Sequence, residues 1–136
     1  MMMTAPTERM EAGRALRREV MGAEHVDRGA ATAWPFAKPY ADLVTEYCWG
    51  AVWSRPGLSR RDRSLLNLGM LAALNRSEEL ALHIGGALNN GVTPEEIREA
   101  FLQVGVYCGA PAGMEAFRAA RKVFEARGIV PDEKAD

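Results

Sequence analysis

The ten residues from Leu65 to Leu74, LLNLGMLAAL, constrain this chain more than any other stretch. They are apolar nearly all round a helical wheel. A helix of that kind needs cover on most sides, either in a domain centre or in an interface between subunits. Further helices are its natural company, and the rest of the sequence supplies them. Clean period-2 alternation is missing, and the Asn90-Gly91 pair lies between helical patterns rather than β-branched runs. The expected fold class is all-α.

Start and stop signals divide the chain into six to seven helices. Met10, Gly13, Leu16 and Val20 recur at spacings of three and four, which predicts a helix over Thr7 to Met21. The segment AEHVDRGAATAWPFAKP reads as a short helix followed by a loop punctuated by Pro35 and Pro39. A longer helix over Pro39 to Ala51 would turn Tyr40, Leu43, Tyr47 and Ala51 inward, with Val44 and Cys48 beside them. WSRPGLS is a loop, and Ser59 with Asp62 three residues on opens the apolar helix. A turn at Asn75–Ser77 leads to a helix over Glu78 to Asn89, which Asn90-Gly91 ends. Thr93-Pro94-Glu95-Glu96 combines an N-cap, a first-turn proline and a Glu at N3. Ile97, Phe101, Val104 and Cys108 should face inward from that helix, and Gly109 should stop it. Pro111 opens the last helix, with Met114, Phe117, Ala120 and Phe124 inward and Gly128 at its end. At 136 residues the chain is expected to form a single domain over 1–136, with 1–6 and 130–136 frayed.

Composition narrows the function classes. The net charge of −1 gives no general electrostatic case for nucleic acid or an anionic membrane. No apolar run approaches the roughly 18 residues of a membrane span, and no secretory signal is visible at the N-terminus, so a cytoplasmic protein is expected. Cys48 and Cys108 stand 60 positions apart, form no metal-ligand spacing, and read as buried small hydrophobes. No metal site is expected.

Chemistry is most plausible at three places. Glu79 and His83 lie at i and i+4, where a carboxylate can reach an imidazole. With Leu80, Ile84, Ala87 and Leu88 forming the apolar stripe, His83 falls at its edge and Glu79 further out. This arrangement suits a titrating group, and it equally suits a surface pair of little energetic consequence. Arg55, Arg60, Arg61 and Arg63 crowd a loop and a helix start, although the macrodipole favours anions there. They imply either a bound anion, for which arginine is well shaped, or a solvated basic end with salt bridges to acidic residues. Trp49 and Trp53, at i and i+4, could wall a pocket or fill a core. His25 is a fourth, isolated candidate.

The segments EHVDR (24–28), WG-x-x-W-x-RPGL-x-R-x-x-RSL (49–65), NR-x-EEL-x-LH (75–83), NNGVT-x-EEI-x-E (89–99) and YCG-x-PA (107–112) resemble γ-carboxymuconolactone decarboxylase, in order and spacing. The resemblance covers nearly the whole chain. It implies a compact all-α fold of the alkyl hydroperoxidase D-like type, a homo-oligomer (a hexamer or a trimer), and a cofactor-free lyase. That enzyme converts γ-carboxymuconolactone to β-ketoadipate enol-lactone and CO2 in protocatechuate breakdown. The peroxidase-like branch carries Cys-x-x-Cys-x-x-x-His. Here Arg76 and Glu79 stand at the cysteine positions while His83 keeps the histidine, which excludes disulfide-based peroxide chemistry at that site.

On this resemblance His83 is the acid or oxyanion stabiliser and Glu79 orients it. Arg63, Arg60 or Arg55 would bind the carboxylate of the lactone substrate, and Trp49, Trp53 and His25 would complete the pocket. Glu46 and Met114 depart from the arginine and asparagine frequent at those positions in the family. Those departures leave room for a sister lyase, isomerase or hydrolase on another lactone or keto acid. A non-catalytic helical assembly protein is a further alternative, and it predicts Glu79 and His83 exposed with no pocket near the arginines.

Overall fold

The computed structural model describes residues 7–132. The expectation that 1–6 and 133–136 fray lies outside the described residues. Among those described there are seven α-helices and no strand. The chain divides into two compact units, Met1–Ser59 and Arg60–Asp136.

In the N-terminal unit α1 (Glu8–Met21) starts at Thr7, whose hydroxyl accepts the Met10 N–H. Its buried positions are Gly13, Leu16 and Val20, as the sequence spacing predicts. After Gly22 (φ 90°) comes α2 (Ala23–Ala31), then a 3₁₀ turn at Pro35–Ala37 and α3 (Lys38–Val44). The helix does not stay α. From Thr45 to Trp53 it runs as π-helix.

The wider i→i+5 turns shift the inward face within this segment, where Tyr47, expected inside, is exposed and Trp49 and Trp53 are buried beside Leu16 and Val20. Tyr40 and Leu43 on α3, also expected inside, are exposed as well. The two indoles stack with centroids 4.8 Å apart and planes 19° from parallel. Close approach is set by Gly13 and Gly50. A Cβ on Gly13 would lie 2.3 Å from the Thr45 carbonyl oxygen, so α1 lies directly against the π-helical segment.

The C-terminal unit is built from α4 (Arg60–Ala73), α5 (Ser77–Asn89), α6 (Pro94–Cys108) and α7 (Ala110–Arg127). Leu68, Leu80, Ile84, Ile97 and Phe101 form the centre of its core, with Ala112, Ala116 and Ala120 letting α7 pack closely. The capping box at Thr93 and Glu96 is formed in both directions. Gly91 (φ 89°) and Gly128 (φ 66°) end α5 and α7 as expected. At Gly113 an added Cβ would stand 3.0 Å from the Gly105 Cα, so α6 and α7 pack backbone to backbone there.

Three inward assignments are corrected. Cys108 is exposed, and so are Met114 and Phe117, because α7 buries its small face through Ala112, Gly113, Ala116 and Ala119. Among the described residues, one side of the apolar helix is covered. Leu68 and Ala72 are buried, but Leu66, Met70 and Leu74 are 53%, 46% and 65% exposed. Of the tail, Asp132 is held to α6, since its carbonyl accepts from Arg98 at 2.6 Å and its N–H donates to Glu95 Oε1 at 3.4 Å. No helix among the described residues is long and apolar enough to cross a membrane.

Candidate active site

The α4–α5 hairpin carries the candidate chemistry. Its tight turn places Asn75 in the left-handed region (φ 59°), a conformation asparagine tolerates. At the far end Asn90 Nδ2 donates to Ser64 Oγ at 2.9 Å and to the Arg60 carbonyl at 3.3 Å. Ser64 is fully buried, so this contact satisfies a hydroxyl that would otherwise be costly. The two helices are thereby locked in an antiparallel register, with residues near 60 opposite residues near 90.

That register sets Asn67 of α4 against His83 of α5. Asn67 Nδ2 lies 3.5 Å from His83 Nδ1. One turn back along α5, Glu79 is exposed and acts on the ring through its charge. On α4, Arg60, Arg63 and Asn67 fall at i, i+3 and i+7 and so share a face. Arg63 is half-buried, with its Nε shielded from solvent.

His83 is half-buried, and burial pushes its pKa below the usual histidine value. The Glu79 charge pulls the other way but is the smaller effect. The carboxylate therefore does not make His83 a cation near neutral pH, as the i,i+4 spacing alone suggests. A neutral imidazole with one N–H is the resting species.

The arginine cluster splits. Arg61 pairs with Glu96, the same carboxylate that closes the Thr93 capping box, and lies 3.8 Å from Asp62. It belongs to the salt-bridge reading. Arg60 and Arg63 lie on the face that holds Asn67. Arg55, Trp49, Trp53 and His25 belong to the N-terminal unit. There Trp49 and Trp53 are core aromatics, His25 is half-buried on α2, and Arg55 sits just after the π-helix with its N–H on the Val52 carbonyl. Burial raises the pKa of the Cys48 thiol, opposite to what a thiolate nucleophile needs. Among the described residues no three His, Cys, Asp or Glu side chains gather as for a metal.

Asn67 was not singled out from the sequence. The signal was present, since it is the only polar side chain in LLNLGMLAAL and follows Arg63 by one turn. Ser64 and Asn90 gave no comparable signal. Two apolar clefts lie elsewhere, along α6 and α7. One of about 460 Å³ is lined by Ile97, Phe101, Phe117 and Phe124, and one of about 630 Å³ by Leu102, Val106 and Met114. Neither is lined by His83.

The α4–α5 hairpin thus carries a half-buried histidine, a carboxylate and arginines, and both cysteines lie outside it. Residues 38–122 match the carboxymuconolactone decarboxylase family, and the chain belongs to it. It is 39% identical over 126 residues to the 4-carboxymuconolactone decarboxylase of Acinetobacter baylyi, which covers 93% of this chain and 94% of the relative. It is also 48% identical over 109 residues to the nitrosuccinic acid decarboxylase npaB of Metarhizium robertsii, covering 80% of this chain and 76% of the relative.

Proposed function

We propose that the chain is a cofactor-free carboxy-lyase acting on γ-carboxymuconolactone, yielding β-ketoadipate enol-lactone and CO2. The observation that carries this reading is the near full-length similarity to a 4-carboxymuconolactone decarboxylase. The hairpin chemistry supports it. The C–COO⁻ bond of the substrate breaks, and its electron pair moves through the ring C=C onto the lactone carbonyl oxygen, leaving a furanolate-like dienolate. A hydrogen-bond donor aimed at that oxygen lowers the barrier. His83 supplies the donor as neutral imidazole, a form that serves as an electrophile. A proton is then delivered to ring carbon, by His83 or through it. Glu79 bears on the ring as a charge one turn away. Arg63 and Arg60 hold the retained carboxylate.

A second reading is favoured by the nitrosuccinic acid decarboxylase relative. Nitrosuccinate and γ-carboxymuconolactone share a core. In each, one carbon bears the leaving carboxylate, a CH2COO⁻ arm and an attachment to an electron sink. The sink is an unsaturated lactone in one and a nitro group in the other. Loss of CO2 leaves an oxyanion in both cases. The same donor and the same arginines serve either substrate, and Glu46 and Met114, which depart from the usual decarboxylase residues, favour keeping the second open. We also propose a homo-oligomer, supported by the exposed apolar residues Leu66 and Met70 on α4 and Leu74 just after it.

The test offers both acids to the wild type and to His83→Gln, following CO2 release and ultraviolet absorbance. CO2 release from the lactone is expected, with a loss of about 10²–10⁴-fold in the variant. Near-normal turnover by His83→Gln would sink the assignment of His83. Ring opening without CO2 would instead point to a hydrolase.

A further inference from the structure

We propose that the exposed aromatic surface around α3 is a self-association surface, on which a second copy of this chain docks through a two-fold contact centred near Tyr40. This surface belongs to the N-terminal unit and is distinct from the α4 residues; it depends on neither the α4 surface nor the decarboxylase reading.

Three consecutive elements lack cover. α2, the 3₁₀ turn at Pro35–Ala37 and α3 bury no residue, and every residue from Ala31 to Ala41 is exposed. Yet this stretch is not polar. Trp34, Phe36 and Tyr40 are 67%, 79% and 66% exposed, and Leu43 and Tyr47 are exposed beyond them. α2 and α3 have nine and seven residues. Helices shorter than about 12–15 residues do not persist in water on propensity alone, and packing of an apolar face is what holds them.

The rings form one patch. Trp34 and Phe36 have centroids 4.8 Å apart. Tyr40, Leu43 and Tyr47 recur at i, i+3 and i+7, and the Tyr40 phenol lies near enough to push the Tyr47 pKa up. An aromatic side chain carries about 150–250 Å², so the exposed parts amount to roughly 500 Å² per copy. A symmetric pair buries about 1,000 Å², the size at which specific interfaces begin.

Charge selects the occupant. From Gly29 to Ser54 the charged residues are Lys38, Asp42 and Glu46. One cation against two carboxylates does not attract an anionic lipid surface. Lys38 and Asp42 stand one turn apart and pair within α3. Such a plus–minus pair is complementary to its own copy turned end for end. Antiparallel docking about Tyr40 sets Lys38 against the partner's Asp42, and does so twice, as an isologous contact requires. The same register brings Trp34 and Phe36 over the partner's Leu43 and the partner's Tyr47. Buried tryptophan and tyrosine are the side chains that carry most of the energy of such contacts.

Sedimentation velocity and light scattering on the full-length protein, across a micromolar concentration series, test the proposal. Expected is a wild-type assembly whose mass halves when Trp34→Ala and Phe36→Ala are combined. Lys38→Glu and Asp42→Lys should each raise the dissociation constant about tenfold or more, because like charges then face one another. Combining Lys38→Glu with Asp42→Lys in one chain should restore association. So should an equimolar mixture of the two single variants, in which every facing pair is again opposite in sign. A folding defect in either variant cannot imitate recovery on mixing. Acrylamide quenching of Trp34, read as the difference between wild type and Trp34→Phe, should fall on association, since Trp49 and Trp53 are buried already. A wild type that stays monomeric throughout the series, or single variants whose mixture stays dissociated, overturns the proposal. An assembly whose mass the α3 variants leave unchanged, while Leu66→Lys on α4 takes it apart, also overturns it and upholds the α4 surface alone. CO2 release does not enter, so failure here is distinct from failure of the decarboxylase reading.

Discussion

Two buried glycines give opposite predictions for the same substitution, Gly→Ala. Gly13 lies inside α1 and Gly85 inside α5. By helix propensity alone each change should stabilise by up to about 1 kcal/mol. At Gly13 the new methyl would stand 2.3 Å from the Thr45 carbonyl oxygen and 2.8 Å from the Gly50 nitrogen, both backbone atoms. Ordinary contact begins near 3.4 Å. The two helical segments must therefore separate by roughly 1 Å, loosening the Leu16, Val20, Trp49 and Trp53 cluster. Overpacking of this kind costs about 1–3 kcal/mol and often more against rigid backbone. The net expectation for Gly13→Ala is about 2 kcal/mol destabilising, or a Tm lower by about 6–8 °C in a chain of this size. At Gly85 the nearest atom is Arg127 Nη2 at 2.6 Å, the far end of a flexible side chain. That guanidinium can swing aside at the cost of its exposed contact with Asn89 Oδ1. Gly85→Ala should fall between neutral and slightly stabilising. Thermal denaturation followed by circular dichroism at one protein concentration gives both values. A Gly13→Ala protein as stable as Gly85→Ala would refute the reasoning that the π-helical segment and α1 meet backbone to backbone.

The remaining predictions concern the site and the core. Burial depresses the His83 pKa in the folded state, so the unfolded chain binds its proton first as pH falls. Stability from this group is full above about pH 6.5, the ordinary histidine value, and declines below it. His83→Gln should flatten that part of a Tm-against-pH curve, and an unaltered slope between pH 7 and 5 would contradict the burial argument. Arg63→Lys keeps the charge but loses the bidentate fork. It should raise KM for either dicarboxylic acid while CO2 release at saturation changes less, and an unchanged KM would remove Arg63 from the binding face. Phe101, fully buried in the core of the C-terminal unit, should cost about 3–5 kcal/mol as Phe101→Ala in urea denaturation.

Local physics is what made much of this protein readable before any coordinates. The helix starts at Thr7 and Thr93 and the stops at Gly91, Gly109 and Gly128 depend on hydrogen bonds and backbone angles within a few residues. The all-α class follows from the periodicity they bound. The family is legible because its motifs sit at fixed spacings. The Glu79–His83 pair, one turn apart, needed only helix geometry. Packing decided the rest. Helical spacing cannot foresee nine residues of π-helix, within which Tyr47 is exposed and Trp49 and Trp53 are buried. Nor can it foresee that α7 would bury its alanines and leave Met114 and Phe117 exposed. The charge state of His83 depends on how much protein surrounds the ring, which only the folded hairpin determines. Asn67 meets His83 across 16 positions of sequence because Asn90 and Ser64 fix the register of two helices. That contact is long-range, and the apolar run it interrupts records its presence without naming its partner.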